Sequence, residues 1–245
     1  DPEAVARALA EHHDQIAAMI LEPVMMNAGI IAPDHGYLAA IRDLLHAAGA
    51  LLIYDEVKTG FTTGPGGVTA LSGVVPDIVC LAKALGGGIA VAAIGGTTAV
   101  MSAIADGRYE QVGTFNGNPL AMAATRATLT DVLTPAGYTH LDRLATRLRA
   151  GLEAVIAEHG VDWHVVTVGA KGCVTFRGEP VREFRDFLQI DDRLGQLHWL
   201  MQHNGGVFLP PWGKVEQWLL SVQHDEADTD RFTANFARLA AAVAS

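Results

Sequence analysis

Short apolar runs that stop on charged residues recur through the first half of this chain, and they restrict it to a sheet-based fold. Ile16-Ala-Ala-Met-Ile-Leu21 stops at Glu22-Pro23, Leu51-Leu-Ile-Tyr54 at Asp55-Glu56-Val57, and Ile78-Val-Cys-Leu81 just before Lys83. Runs of this length bounded by turn residues read as buried strands, and Pro23 cannot continue a central ladder, so the chain turns there. Residues 3–14 read as an acidic-faced helix. Residues 34–47 place Tyr37, Leu38, Ile41, Leu44 and Leu45 at helical spacing and close on Gly49. A Gly/Thr-rich loop is expected from Thr59 to Gly67. Ala90–Ile94 reads as a strand, Thr98–Ala105 as a helix, and Asn118-Pro119 opens a helix to about Leu133. Strands alternating with helices predict an α/β protein with a mostly parallel sheet.

Pro135 and Gly137 mark the expected domain boundary, giving 1–134 and 135–245. Beyond it the pattern predicts a helix over 139–159, strands over 162–168 and 171–176, and a helix over 191–203. Strands near 206–209 and 217–222 and a helix over 226–244 complete a smaller α+β domain. A length of 245 residues suits one large domain or two modest ones. Half the residues are hydrophobic and 18% charged, which excludes a disordered chain. A net charge of -10 offers no basic face to nucleic acid. Cys80 and Cys173 lie in apolar runs with no CxxC, so a disulfide scaffold is excluded and a cytoplasmic location expected. The opening Asp-Pro-Glu leads into a helix pattern, not a signal peptide. Ala84–Ala105 is uncharged and long enough for a membrane span, but five glycines and Thr97-Thr98 interrupt it. No membrane partner is expected.

The charged strand ends matter because active sites of open α/β sheets lie beyond the carboxyl ends of strands. Lys83 is either a solvated strand-end lysine or a desolvated amine able to act as a nucleophile. Gly86-Gly-Gly88 after it would let the backbone approach something bulky. Asp55 either caps or pairs locally, or holds a cation, a metal or a protonated ring nitrogen; no nearby oxygen cluster supports Mg²⁺. Other chemistries lack their motifs. Gly64-Pro-Gly66-Gly67 is a poor dinucleotide fingerprint, so a nicotinamide-dependent oxidoreductase has little support. There is no P-loop, no GxSxG elbow and no HExxH; His12, His13, His198, His203 and His224 lack metal-ligand spacing. Trp212 and Trp218 read as packing residues, with the Pro210–Gly213 loop and Lys214 as candidates for a site rim.

Four motifs together are more specific than any one. They are Leu21-Glu-Pro-Val24, Ala50-Leu-Leu-Ile-Tyr-Asp55-Glu-Val-Lys-Thr-Gly-Phe61, Pro76-Asp-Ile-Val-Cys-Leu-Ala-Lys83-Ala-Leu-Gly-Gly-Gly88 and Gly113-Thr-Phe-Asn-Gly-Asn-Pro-Leu-Ala-Met-Ala-Ala124. In order and spacing they resemble the class III pyridoxal-phosphate aminotransferases, in the branch that includes glutamate-1-semialdehyde 2,1-aminomutase. The resemblance is strong over residues 1 to about 134 and looser beyond. It implies the C-terminal part of the large domain of the fold-type I pyridoxal-phosphate transferase fold, followed by a small α+β domain.

The resemblance also implies roles. Lys83 matches the lysine that carries pyridoxal 5'-phosphate as a Schiff base, and Asp55 the aspartate paired with the pyridine nitrogen, which keeps the ring an electron acceptor. Val57 matches a branched residue packed on the ring. Thr114 matches a threonine reaching the cofactor phosphate of a neighbouring subunit, which implies a homodimer with shared sites. Glu22 lies on the matching loop near the cofactor. The implied activity is amino-group transfer, by an aminotransferase or a 2,1-aminomutase, on a small-molecule amino acid or amine; no metal is implied. Thr62 stands where many relatives have arginine, and Lys58 replaces a commoner neutral residue. The family's phosphate-binding Gly-Ser/Thr turn, which works at a helix N-terminus, has no counterpart here, nor has the stacked aromatic ring. The expectation is therefore a chain that needs a further N-terminal segment, on the same polypeptide or as a separate half-chain, with a non-catalytic half-chain as the alternative.

Overall fold

The computed structural model describes every residue except Pro211, Trp212, Glu216 and Ser245. The chain divides into two compact units, Asp1–Val24 with Ala32–Thr134, and Met25–Ile31 with Pro135–Ser245.

The first unit is built on a four-stranded sheet of order β1-β2-β3-β4: Ala18–Leu21, Leu51–Asp55, Ile78–Leu81 and Ala93–Gly96. The first three strands are parallel, and β4 runs antiparallel to β3. Helix α1 (Pro2–Glu11) begins where Asp1 accepts the Glu3 amide at 2.9 Å, with proline in its first turn. Helix α2 (Tyr37–Ala47) buries Leu38, Ile41 and Leu45, the apolar stripe seen in the sequence, and packs on β2, whose Leu52 and Tyr54 are fully buried. Each large apolar side chain removed from water this way contributes about 1.5–3 kcal/mol. Helix α3 (Gly67–Ser72), a 3-10 turn at Lys83–Gly86, α4 (Thr98–Ala105), α5 (Pro119–Ala127) and a π-helical turn at Thr128–Val132 complete the unit.

In the second unit, α6 (Pro135–His159), α7 (Phe184–Leu188), α8 (Asp192–Asn204) and α9 (Glu226–Ala244) accompany an antiparallel sheet of β5 (His164–Val168), β6 (Lys171–Thr175) and β7 (Gln217–Leu219). Leu144, Leu148 and Leu152 of α6 meet Phe236 and Leu239 of α9 in its core, and the Trp163 ring stands edge-on to Phe176 at 5.0 Å. Arg147 holds both carboxylate oxygens of Asp230, at 2.8 and 2.9 Å, along the exposed seam of those two helices.

The structure adds two helices that the sequence pattern does not assign, α3 starting on the last residue of the Thr59–Gly67 loop and α7 behind a reciprocal cap between Glu183 and Asp186, and it corrects other expectations. The apolar residues near 206–209 form no strand; Val207 instead donates its amide to Gln202 O at 2.9 Å, closing α8. Strand β4 sits at 93–96 rather than 90–94, because its antiparallel register pairs Ile78 with Gly96 and Leu81 with Ala93. Strand β1, read as buried, is only partly so: Ile20 is 60% exposed because β1 is a sheet edge, and Ile94 of the other edge strand, β4, is 44% exposed. Ala84–Ala105 is broken into a 3-10 turn, β4 and α4, and no helix among the described residues is long and apolar enough to cross a membrane.

Candidate functional site

Because β1, β2 and β3 are parallel, their carboxyl ends share one sheet edge, and three of the charged residues singled out in the sequence fall on it. Glu22 follows the last residue of β1, Asp55 is the last residue of β2, and Lys83 lies two residues beyond β3. The register sets Leu21 beside Tyr54 and Asp55 beside Cys80, three positions before Lys83. A carboxylate and an amine therefore occupy neighbouring strand ends, which in an open α/β sheet is where ligands bind.

Asp55 is half-buried, and its Oδ1 accepts the Val57 amide at 3.0 Å. Its Oδ2 accepts no protein hydrogen bond among the described residues. Val57 stands half-buried in the turn after β2, so it shares the Asp55 end of the strand. Two neighbours register the negative charge gathered there. Burial, and then the charge of Asp55, push the Cys80 thiol above its ordinary range. Burial, with the charge of Glu56 adding to it against Arg42, lifts the Tyr54 hydroxyl to about 12.

Lys83 is exposed and has φ +51°, a left-handed backbone that side-chain-bearing residues seldom adopt. Two of the three glycines behind it, Gly86 and Gly87, serve the protein's own packing, while Gly88 has open space around it. A Cβ on Gly86 would stand 2.6 Å from Val91 Cγ1, and one on Gly87 2.4 Å from Thr128 Oγ1. Thr114 lies in the exposed turn ahead of α5, and no hydrogen bond joins it to Glu22, Asp55, Val57 or Lys83. That turn is locked by Asn118, whose Nδ2 donates to Phe115 O at 3.1 Å while its Oδ1 caps α5 through the Ala121 amide at 2.9 Å.

Sequence reasoning gave Glu56 no role, yet it is 1% exposed and accepts four hydrogen bonds. Its partners Val68 and Thr69 lie twelve and thirteen positions on, beyond the reach of any local pattern. Thr62 donates its hydroxyl to Lys58 O at 2.7 Å. Lys214, considered for a site rim, is tied down by Ile190 O at 2.8 Å and Asp192 Oδ1 at 2.7 Å. Pro211 and Trp212 lie outside the described residues. No group of three His, Cys, Asp or Glu among the described residues is arranged to hold a metal ion.

Comparison with known proteins places this edge in context. Residues 2–214 match the family described as Aminotransferase class-III. A glutamate-1-semialdehyde 2,1-aminomutase of Thermomicrobium roseum is 43% identical over 233 residues, 94% of this chain and 54% of that protein. A glutamate-1-semialdehyde 2,1-aminomutase 2 of Halalkalibacterium halodurans is 39% identical, over 98% of this chain and 56% of its own length. Among solved structures, an omega-transaminase from Sphaerobacter thermophilus superposes with a TM-score of 0.91 at 28% identity, covering 98% of this chain and 55% of that one. A glutamate-1-semialdehyde-aminomutase from Pseudomonas aeruginosa PAO1, in complex with PMP, gives 0.87 at 29%, with 98% and 54% covered. The chain thus spans about half the length of the curated relatives it matches.

Proposed function

We propose a function from a premise that the match makes plain: the chain belongs to the class-III aminotransferase family. The family's cofactor is pyridoxal 5'-phosphate. The proposed activity is amino-group transfer on a small-molecule amino acid or amine, as an aminotransferase or a 2,1-aminomutase. The observation that carries it is the placement of Asp55 and Lys83 on neighbouring ends of parallel strands.

The residues present suit the cofactor's ring. Asp55 Oδ2 accepts no hydrogen bond among the described residues, so it can accept one from a protonated ring nitrogen, while Oδ1 stays engaged with Val57. The exposed Lys83 amine stands one strand away as the group that bears the cofactor covalently. When bound, the cofactor supplies an electron sink for loss of the substrate Cα proton. Asp55 would hold a proton on the ring nitrogen, Val57 would pack against the ring, and Lys83 Nζ would serve as the base that takes and returns the substrate proton. Glu22 borders the site from the end of β1. Thr114, presented outward on its turn, serves the phosphate end of the site in a second subunit, so the proposed assembly is a homodimer.

A further polypeptide segment, on the same chain or another, completes the proposed site. The span of about half the relatives' length supports this. So do the edge strands β1 and β4, which expose Ile20 and Ile94. The same half-length favours, as a second reading, a half-chain that only supports a catalytic partner. Borohydride reduction after incubation with pyridoxal 5'-phosphate, followed by peptide mass spectrometry, tests the proposal. The expected result is a phosphopyridoxyl adduct on Lys83. An unmodified Lys83, even with the other half of a family member supplied, would leave the non-catalytic half-chain as the reading.

A further inference from the structure

We infer that Glu56 is a positioning residue for Asp55: its buried carboxylate clamps the Val57–Gly60 turn to the start of α3, fixing the amide that orients Asp55. The inference rests on the reading of Asp55 given above.

The Glu56 carboxylate is fully supplied with donors. Its Oε2 accepts from Thr59 Oγ1 at 3.0 Å and from the Val68 amide at 2.7 Å. Its Oε1 accepts from the Thr69 amide at 2.9 Å and from Thr69 Oγ1 at 2.6 Å. Burying an acid without such partners is strongly unfavourable, and charge-assisted bonds of this kind are what offset it. The backbone of the same residue is tied as well. Glu56 N donates to Cys80 O at 3.0 Å, and Glu56 O accepts the Gly60 amide at 2.8 Å.

The turn is thus pinned to β3 through the Glu56 backbone and to α3 through the Glu56 side chain. Between those anchors stands Val57, whose N–H meets Asp55 Oδ1 at 3.0 Å. The surroundings leave no slack. A Cβ on Gly67 would stand 2.2 Å from Glu56 Oε2, and one on Gly60 2.6 Å from Leu81 Cδ2. With the clamp in place Asp55 keeps one oxygen occupied and presents the other; without it, the carboxylate rotates and its ring-nitrogen contact is lost part of the time.

Glu56→Gln in the full chain tests the clamp, because the amide group turns a donor toward two donors. Backbone amides of Val57–Gly60 should exchange with deuterium roughly tenfold faster or more, the scale of one lost charge-assisted hydrogen bond. Amides of α2 and the middle of β2 should keep the parent rate. The pyridoxal 5'-phosphate concentration that half-saturates the borohydride-trapped Lys83 adduct should rise by a similar factor. Thr69→Val removes a single donor, and should show both changes in smaller measure even where Glu56→Gln fails to fold. Unchanged exchange at Val57–Gly60 would overturn the inference. So would faster exchange with an unchanged cofactor requirement, which would make Glu56 an anchor for α3 alone. A parent chain that takes no cofactor under any condition overturns the functional reading instead; the exchange measurement then still decides whether Glu56 holds the turn.

Discussion

His46 Nε2 lies 2.9 Å from Asp77 Oδ2, and the same oxygen accepts the Leu52 amide at 2.8 Å. The pair ties the end of α2 to the starts of β2 and β3, at the edge of the sheet opposite Lys83. Burial pushes the Asp77 carboxyl up, but the Leu52 amide and His46 outweigh it, and its pKa falls below 3.8. A depressed carboxylate contributes stability that is present above its unfolded pKa and is lost as pH falls through the lower folded value. Asp77→Asn should therefore destabilise the first unit near neutrality by about 1–3 kcal/mol, one charged hydrogen-bond partner, and flatten its acid dependence below about pH 4. Urea titrations across that range would show equal acid slopes for variant and parent if Asp77 plays no such part.

His198 sits at the centre of the second unit's core, ringed by Phe176, Phe232 and Phe236 at 5.6–5.9 Å. Its Nε2 faces Gln202 Nε2 at 3.2 Å. That amide cannot turn over, since its nitrogen donates to Phe232 O at 3.0 Å and its oxygen accepts from Asn235 Nδ2 at 3.1 Å. Arg238, donating to Asn235 at 2.6 Å, adds a cation behind the network. Burial holds the imidazole at about 4, below its ordinary 6.5. The unfolded chain then binds the proton first, so stability is full above about pH 6.5 and declines toward pH 4, by roughly 3 kcal/mol in all. His198→Phe should remove most of that slope in the unfolding of this unit. A variant as acid-sensitive as the parent would place the sensitivity elsewhere.

The legible part of the fold was the part written in local pattern. Leu38, Ile41 and Leu45 announce α2 by spacing, and the apolar runs before Asp55 and Lys83 announce β2 and β3, because burial of one face or a whole strand leaves a periodic trace. Helix α3 left none. Gly-Val-Thr-Ala-Leu-Ser is a poor helix on propensity, and it forms where Glu56, a dozen residues earlier, satisfies its first amides. Val207–Leu209 failed the other way: apolar enough for a strand, it pairs with no strand among the described residues. At the candidate site the strand-end positions of Asp55 and Lys83 were readable, while the four partners of Glu56 were not. Those contacts depend on how the turn folds back, which no window along the chain contains.

Gly87 has φ +58°, and a Cβ there would meet Thr128 Oγ1 at 2.4 Å. Gly87→Ala should cost about 1–3 kcal/mol through left-handed strain and overpacking together. Trimming the other side should recover the packing part alone, so Gly87→Ala with Thr128→Ala is expected to fall between the single variant and the parent in thermal unfolding. Full recovery would mean the backbone conformation is indifferent.

Ile20 and Ile94 stand on opposite edge strands of a sheet that has no further partners among the described residues. Exposed apolar edges invite pairing with other chains. The chain alone should self-associate with rising concentration in sedimentation velocity, and Ile20→Lys with Ile94→Lys should shift it toward the monomer. Association untouched by the double variant would assign it to another surface.

Lys83 keeps φ +51° although nothing in its side chain favours that region. Left-handed backbone at a residue with an ordinary Cβ costs about 1–2 kcal/mol, and asparagine tolerates it better than alanine or lysine. If the strain is held for the sake of the lysine amine, removing the amine should release stability that a strain-tolerant replacement can recover. Lys83→Asn is thus expected to unfold at higher urea than Lys83→Ala, by an amount on the order of 0.5–1 kcal/mol. Both should lose the borohydride-trapped adduct. Alanine and asparagine variants of equal stability would show that the turn relaxes freely, and that Lys83 stands there without a conformational penalty.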